Sequence, residues 1–218
     1  MRQKDVFLHS EGDAWFERNR ATCAQIDHAA DPVVATVLDI AGQRPPGSPP
    51  LRLLEVGCGE GRRLAWLAAR LDAEVHGLDP SAKAVATAQA RGVAARQGTA
   101  DALPHGDAAF DVLVFGFCLY LCDPQDLFRI AQEADRVLAD PAWLIIHDFH
   151  SPTPLVRPYH HKPGVHSRKM DFRRLFDWHP AYTCYAHRVS AHGGTAFCDE
   201  PQEWVAVSTL RKRGGDHA

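Results

Sequence analysis

Apolar positions in this chain fall into short runs, each closed by glycine, proline or charge. Leu51, Leu53, Leu54 and Val56 form a run of buried-strand type, broken by Gly57, Gly59 and Gly61. A helical pattern follows and predicts a helix over about residues 60–71. Residues 74–79 read as a second strand ending in the carboxylate of Asp79, and Pro80-Ser81 opens a helix over 81–91. Residues 93–98 make a weak third strand, 99–104 a loop, and 110–115 a fourth strand apolar enough for a sheet interior. A helix over about 124–138 and a fifth strand over 142–149 complete the rhythm. Strands and helices in alternation predict a parallel sheet with helices on both faces.

The flanks differ. Trp15, Phe16 and Ile26 stand among charges in the first 30 residues, which predicts one or two short amphipathic helices. Asp31-Pro32 reads as a cap and first turn, with Val33, Val34, Val37, Leu38 and Ala41 at helical spacing and Gly42 as the stop. Pro45, Pro46, Pro49 and Pro50 make an extended linker. Beyond His150, Pro152, Pro154, Pro158 and Pro163 mark a long irregular segment, followed by a short helix over 168–177. Strands over 182–189 and 204–210 form an antiparallel pair that closes the sheet. The expected division is a helical lid over 1–44, a binding core over 51–149, a substrate-side insertion with closing strands over 150–210, and a frayed tail over 211–218.

Composition narrows the class. Apolar residues make up 45% and charged residues 23%, as in a globular protein with a proper core. A net charge of −3 gives no footprint for nucleic acid. The cluster Arg168, Lys169, Arg173 and Arg174 reads at least as well as a solvated face. Six cysteines form no Cys-x-x-Cys, and several sit in apolar runs. With no signal-like apolar core near Met1 and no run of the ~18 apolar residues that a membrane helix needs, a cytoplasmic protein without a membrane partner is expected.

The glycine turn sorts the ligand. A dinucleotide fold wants Gly-x-Gly-x-x-Gly, but here the third glycine comes one position early, at Gly61, and a P-loop lysine is absent. Glu55-Val56-Gly57-Cys58-Gly59-Glu60-Gly61 resembles the first motif of class I S-adenosylmethionine-dependent methyltransferases. Asp79, the segment from Thr99 to Pro104, and the run from Phe115 to Leu121 resemble later motifs of the small-molecule, type 11-like branch of that family, so the resemblance covers residues 51–149. It implies an α/β, Rossmann-like, doubly wound, seven-stranded, mostly parallel sheet in a single domain with an N-terminal helical cap. It also implies S-adenosylmethionine as cofactor, with Asp79 on the ribose hydroxyls, Asp101 and Ala102 at the adenine, and Glu55 at the ammonium end. Gly57, Cys58, Gly59, Gly61 and Pro80 should frame the loop, and Phe115 and Gly116 should border the reacting methyl group. The turn Leu138-Ala139-Asp140-Pro141 departs from the family's usual Lys-Pro-Gly-Gly and leaves the cofactor positions untouched.

Methyl transfer from a sulfonium is an in-line displacement in which positioning supplies much of the catalysis, and a base is needed only when the acceptor holds its proton. Among 13 histidines, His147 and His150 rank first because they follow the fifth strand. Trp15, Phe16, Tyr120, Tyr159 and His160 are expected at the substrate. A metal set of His147, His150, His160 and His161 is conceivable, but nothing in the sequence fixes it and no metal is expected. The expected activity is methyl transfer to a small molecule, a metabolite or natural-product intermediate, with the oligomeric state open. A protein or RNA methyltransferase and a non-catalytic cofactor-binding protein on the same fold remain the alternatives.

Overall fold

The computed structural model describes residues 2–214. Seven strands form one sheet in the order β3-β2-β1-β4-β5-β9-β8. They are β1 (Leu51–Val56), β2 (Ala73–Asp79), β3 (Ala94–Gln97), β4 (Phe110–Gly116), β5 (Leu138–Phe149), β8 (Tyr182–Ala191) and β9 (Trp204–Lys212). The first five run parallel; β9 pairs antiparallel with β5, and β8 antiparallel with β9. The seven-stranded, mostly parallel sheet with its antiparallel C-terminal pair is therefore the fold that the sequence predicts.

Side-chain alternation splits the core into two layers. Leu53, Val112, Val114 and Ile145 face α3 (Pro32–Gly42), α4 (Arg62–Ala68) and α5 (Ala82–Ala90). Leu54, Leu113, Phe115, Leu144 and Ile146 face α6 (Leu127–Val137) and the turn Phe172–Leu175. Each fully buried Leu or Ile in these layers stabilises the fold by about 1.5–3 kcal/mol. Asp31 caps α3 by accepting the Val33 amide at 2.8 Å, and Ser81 caps α5 by accepting the Ala84 amide at 3.0 Å.

The N-terminal segment is one continuous helical rod. It comprises α1 (Gln3–Val6), a π turn (Phe7–Glu11) and α2 (Gly12–Cys23). Gly12 lets the rod lie on the start of α5, because a Cβ there would sit 2.7 Å from the Phe7 carbonyl and 3.0 Å from the Ser81 nitrogen.

Three local expectations are corrected. The segment after His150 is not wholly irregular: β6 (Leu155–Pro158) and β7 (His166–Lys169) form an antiparallel hairpin. The helix expected over 168–177 is the end of that hairpin plus a 3-10 turn, which Asp171 caps through the Arg173 amide at 3.2 Å. Fraying does not begin at Arg211. β9 runs to Lys212, whose ammonium donates to the carbonyls of Asp135 and Leu138 at 2.7 and 3.0 Å. Residues 215–218 of the expected tail lie outside the described residues. Among the described residues, no helix is long and apolar enough to cross a membrane.

Candidate cofactor and acceptor site

The C-terminal ends of β1, β2 and β4 meet the N-terminal rod around a cavity of about 240 Å³. At the end of β1 the chain turns at Gly57, with φ of +79°, and passes close under β4. A Cβ on Gly57 would lie 2.8 Å from both the Cys118 Cβ and the Gly116 carbonyl. The loop then returns to β2, where the Gly59 amide donates to Asp79 Oδ2 at 2.9 Å and the Ser81 amide to Asp79 Oδ1 at 2.9 Å. A carboxylate offers about four lone-pair sites, so two remain on Asp79 for hydroxyl donors. Burial pushes its pKa up to about 6.

Below the loop lies a buried chain of charges. Arg63 donates to Glu55 through one guanidinium nitrogen, and through Nε to Asp31 at 2.8 Å. Gly116 makes room for this pair: a Cβ there would meet Glu55 Oε1 at 2.7 Å and the Arg63 guanidinium at 3.0 Å. The second oxygen of Glu55 is buried on the cavity wall without a partner. Burial raises the Glu55 pKa. An ammonium group is the natural partner for such an orphaned acceptor.

The far side of the cavity is closed from above. Lys4 pairs with Asp101, and Arg2 with Asp126. Gln3 donates to the Leu121 carbonyl at 2.7 Å and accepts the His166 amide at 2.7 Å, so the β6–β7 hairpin fastens the rod. Tyr159 belongs to this fastening. Its ring packs on Phe7 at 6.4 Å, and its hydroxyl accepts from Arg18 at 3.1 Å.

Of the residues expected at the site, Glu55, Gly57, Cys58, Gly59, Asp79, Pro80, Asp101, Gly116, Trp15 and Phe16 line the cavity. Others stand elsewhere. Gly61 serves the packing of α4 on α5, since its Cβ would meet the Ala88 Cβ at 2.9 Å. Phe115 is wholly buried in the α6 layer, and Ala102 closes the turn onto Thr99 at 3.1 Å. Tyr120 packs on Phe149 at 4.9 Å, and His160 on His161 at 4.1 Å. His147 lies one layer behind the wall, its ring tilted against Phe117 at 4.4 Å, and burial lowers its pKa to about 4. His150 lies away from the cavity, against His187 and Trp204.

Phe117, Lys4, Arg63 and His28 line the cavity although the sequence reading did not single them out. Phe117 adopts φ of +49°, a left-handed conformation that is costly for a bulky residue and typical of functional sites. It follows Phe115 at strand spacing, but β4 ends between the two at Gly116. His28 has both ring nitrogens buried without partners, and burial followed by the Arg63 charge lowers its pKa. Nothing in its flanking sequence marks it.

Comparison with known proteins agrees with this fold. Residues 53–140 match the family described as methyltransferase domain. An uncharacterised protein of Mycobacterium tuberculosis is 36% identical over 94 residues, covering 43% of this chain and 30% of that protein. An uncharacterised methyltransferase of Synechocystis is 33% identical over 108 residues, covering 49% of this chain and 50% of that protein. The chain thus spans a third to a half of the length of these relatives. Among solved structures, the 1,6-didemethyltoxoflavin-N1-methyltransferase of Burkholderia thailandensis, with bound 1,6-didemethyltoxoflavin and S-adenosylhomocysteine, superposes with a TM-score of 0.73. That likeness covers 96% of this chain and 89% of the other at 18% identity, so it speaks for the fold.

Proposed function

We propose that the protein binds S-adenosylmethionine in this cavity and transfers its methyl group to a small, flat, largely apolar acceptor. The observation that carries the reading is the wall itself. Glu55, Asp79 and Asp101 are among the carboxylates that line the cavity, and the aromatic rings of Trp15, Phe16 and Phe117 line it with them. Asp79 has lone pairs for the ribose hydroxyls, and Asp101 for the adenine amino group once Lys4 yields. Glu55 has a free acceptor for the ammonium. The bound cofactor would supply an electrophilic methyl on a sulfonium. The chain's residues orient it, exclude water through the rod, and hold the acceptor against aromatic faces.

For an acceptor that must lose a proton, His28 is the base on the wall: burial holds its pKa below the ordinary imidazole value, and neither ring nitrogen is hydrogen-bonded, the Asp31 carboxylate standing 3.8 Å from Nδ1. The enclosure favours a small acceptor over a polymer. The basic cluster supports this, because three of its members are engaged within the chain: Arg168 donates to the Cys122 carbonyl, Lys169 to that of Gln202, and Arg173 to Asp171.

Calorimetry with S-adenosylhomocysteine, followed by a radiolabelled methyl-transfer screen on pooled aromatic and heteroaromatic metabolites, tests the proposal. One-to-one binding and labelled product are expected. Absence of S-adenosylhomocysteine binding would overturn it.

A further inference from the structure

A second cluster lies outside the cavity, on the α6 side of the sheet near its antiparallel edge. His150 follows β5, Asp171 opens the 3-10 turn of the inserted segment, and His187 sits in β8. One ligand atom from each, two imidazole nitrogens and a carboxylate oxygen, lie within 4.8 Å of one another. None of the three lines the cofactor cavity. We propose that His150, Asp171 and His187 bind a divalent cation of the zinc class, which ties the inserted segment to the sheet.

The surroundings are those of a prepared ligand set. The His187 ring is oriented by a 2.8 Å hydrogen bond between its Nδ1 and the Ser208 hydroxyl. With Nδ1 as donor, the Nε2 lone pair is free, the arrangement that outer partners impose on metal-binding histidines. His150 is held in place by stacking on Trp204, with ring centroids 6.2 Å apart and 29° between planes. Its own Nδ1 is buried and has no partner. The two imidazoles sit 5.2 Å apart, and burial keeps both toward the neutral form that coordinates metal.

Asp171 is buried and accepts the amide and guanidinium of Arg173 at 3.2 and 2.9 Å, which leaves lone pairs on its carboxylate. Arg173 competes for this charge and limits the affinity. Two imidazoles and one carboxylate are a zinc donor set, with water completing the shell. Zinc bonds of about 2.0–2.2 Å place tetrahedral ligand atoms about 3.4 Å apart, so no pair has to close by more than about 1.4 Å, within the reach of side-chain rotation.

The test uses untagged protein freed of metal with EDTA. It is titrated with zinc by calorimetry and with cobalt(II) by visible absorption. One cation per chain, cobalt bands of a nitrogen–oxygen site and a zinc-dependent rise in melting temperature are expected. His187→Ala should weaken zinc at least tenfold and abolish the thermal shift. Ser208→Ala, which keeps all three ligands, should weaken zinc by a smaller factor. S-adenosylhomocysteine affinity should be unchanged in both variants, which shows that they are folded and separates this proposal from the cofactor reading. Equal zinc binding by the wild type and a His150→Ala/His187→Ala double variant would assign the metal to other histidines and overturn the proposal. So would a wild type that takes up no zinc.

Discussion

Asp79 holds the Gly59 amide at 2.9 Å, so the carboxylate that ends β2 also fixes the glycine loop that ends β1. Charge on that carboxylate and shape of that loop are one variable. Asp79→Asn should lower S-adenosylhomocysteine affinity by about 10- to 100-fold, the scale of a charge-assisted hydrogen-bond pair. The pKa held near 6 adds a pH signature. Hydroxyl donors prefer the ionised form, so wild-type affinity should fall as pH drops through 6, by about tenfold per unit below it. The Asn variant should be flat over the same range. Calorimetry from about pH 5 to about pH 8 checks this, and a flat wild-type profile would remove Asp79 from the ribose position.

Gly116 is the point at which a single methyl group meets a buried ion pair. Gly116→Ala places a Cβ 2.7 Å from Glu55 and 3.0 Å from Arg63. The variant should lose about 1–3 kcal/mol by overpacking, and more if the pair separates. Urea unfolding measures it; an unchanged midpoint would mean that the loop shifts freely.

Asp148 accepts the amides of Leu119 and Phe149 at 2.8 Å and that of Tyr120 at 3.3 Å, and so anchors the segment after β4. Burial pushes its pKa up to about 7. The folded value lies above the unfolded one. Its contribution is therefore fully present below about pH 4 and is lost as pH rises through 7. Asp148→Asn should remove that loss. The variant-minus-wild-type difference in unfolding free energy should grow in the variant's favour between about pH 5 and about pH 8, by on the order of a few kcal/mol. A difference independent of pH would show that Asp148 titrates normally.

Lys4 occupies Asp101 from the rod, so the roof and the proposed adenine contact share one carboxylate. Lys4→Met should leave global stability within about 1 kcal/mol, as for a partly exposed pair. Hydrogen exchange across residues 3–23 should nonetheless speed up several-fold, reporting local opening. Exchange identical to the wild type would mean that Gln3 and Tyr159 carry the fastening alone.

The central parallel strands were legible because a strand buried on both faces reads as an apolar run, and Phe110 through Phe115 is such a run, whereas the edge strand β3 reads weakly. Asp79 was legible because a carboxylate closing the second strand stands beside the glycine loop by topology. The β6–β7 hairpin was not, since its strands are four residues each, β6 mostly exposed and β7 half-exposed, and Pro158 ends β6 in a proline-rich stretch. Phe115 was expected on the wall where Phe117 stands. Alternation puts both on one face while the strand lasts, but β4 ends at Gly116, and the left-handed turn at Phe117 redirects the second ring. His28 and the His150–Asp171–His187 cluster depend on contacts between distant segments, which spacing does not encode.

Gln3 meets His166 across 163 positions, and Lys4 meets Asp101 across 97. During synthesis the rod therefore leaves the ribosome well before anything it fastens to. Its apolar side, with Phe7 and Phe16, must wait in solution or on a chaperone until the sheet and the hairpin are complete. The roof can be fastened over the cavity only once those partners are in place, and variants that slow the β6–β7 hairpin should show up as chains with a formed sheet and an unplaced amino-terminal helix.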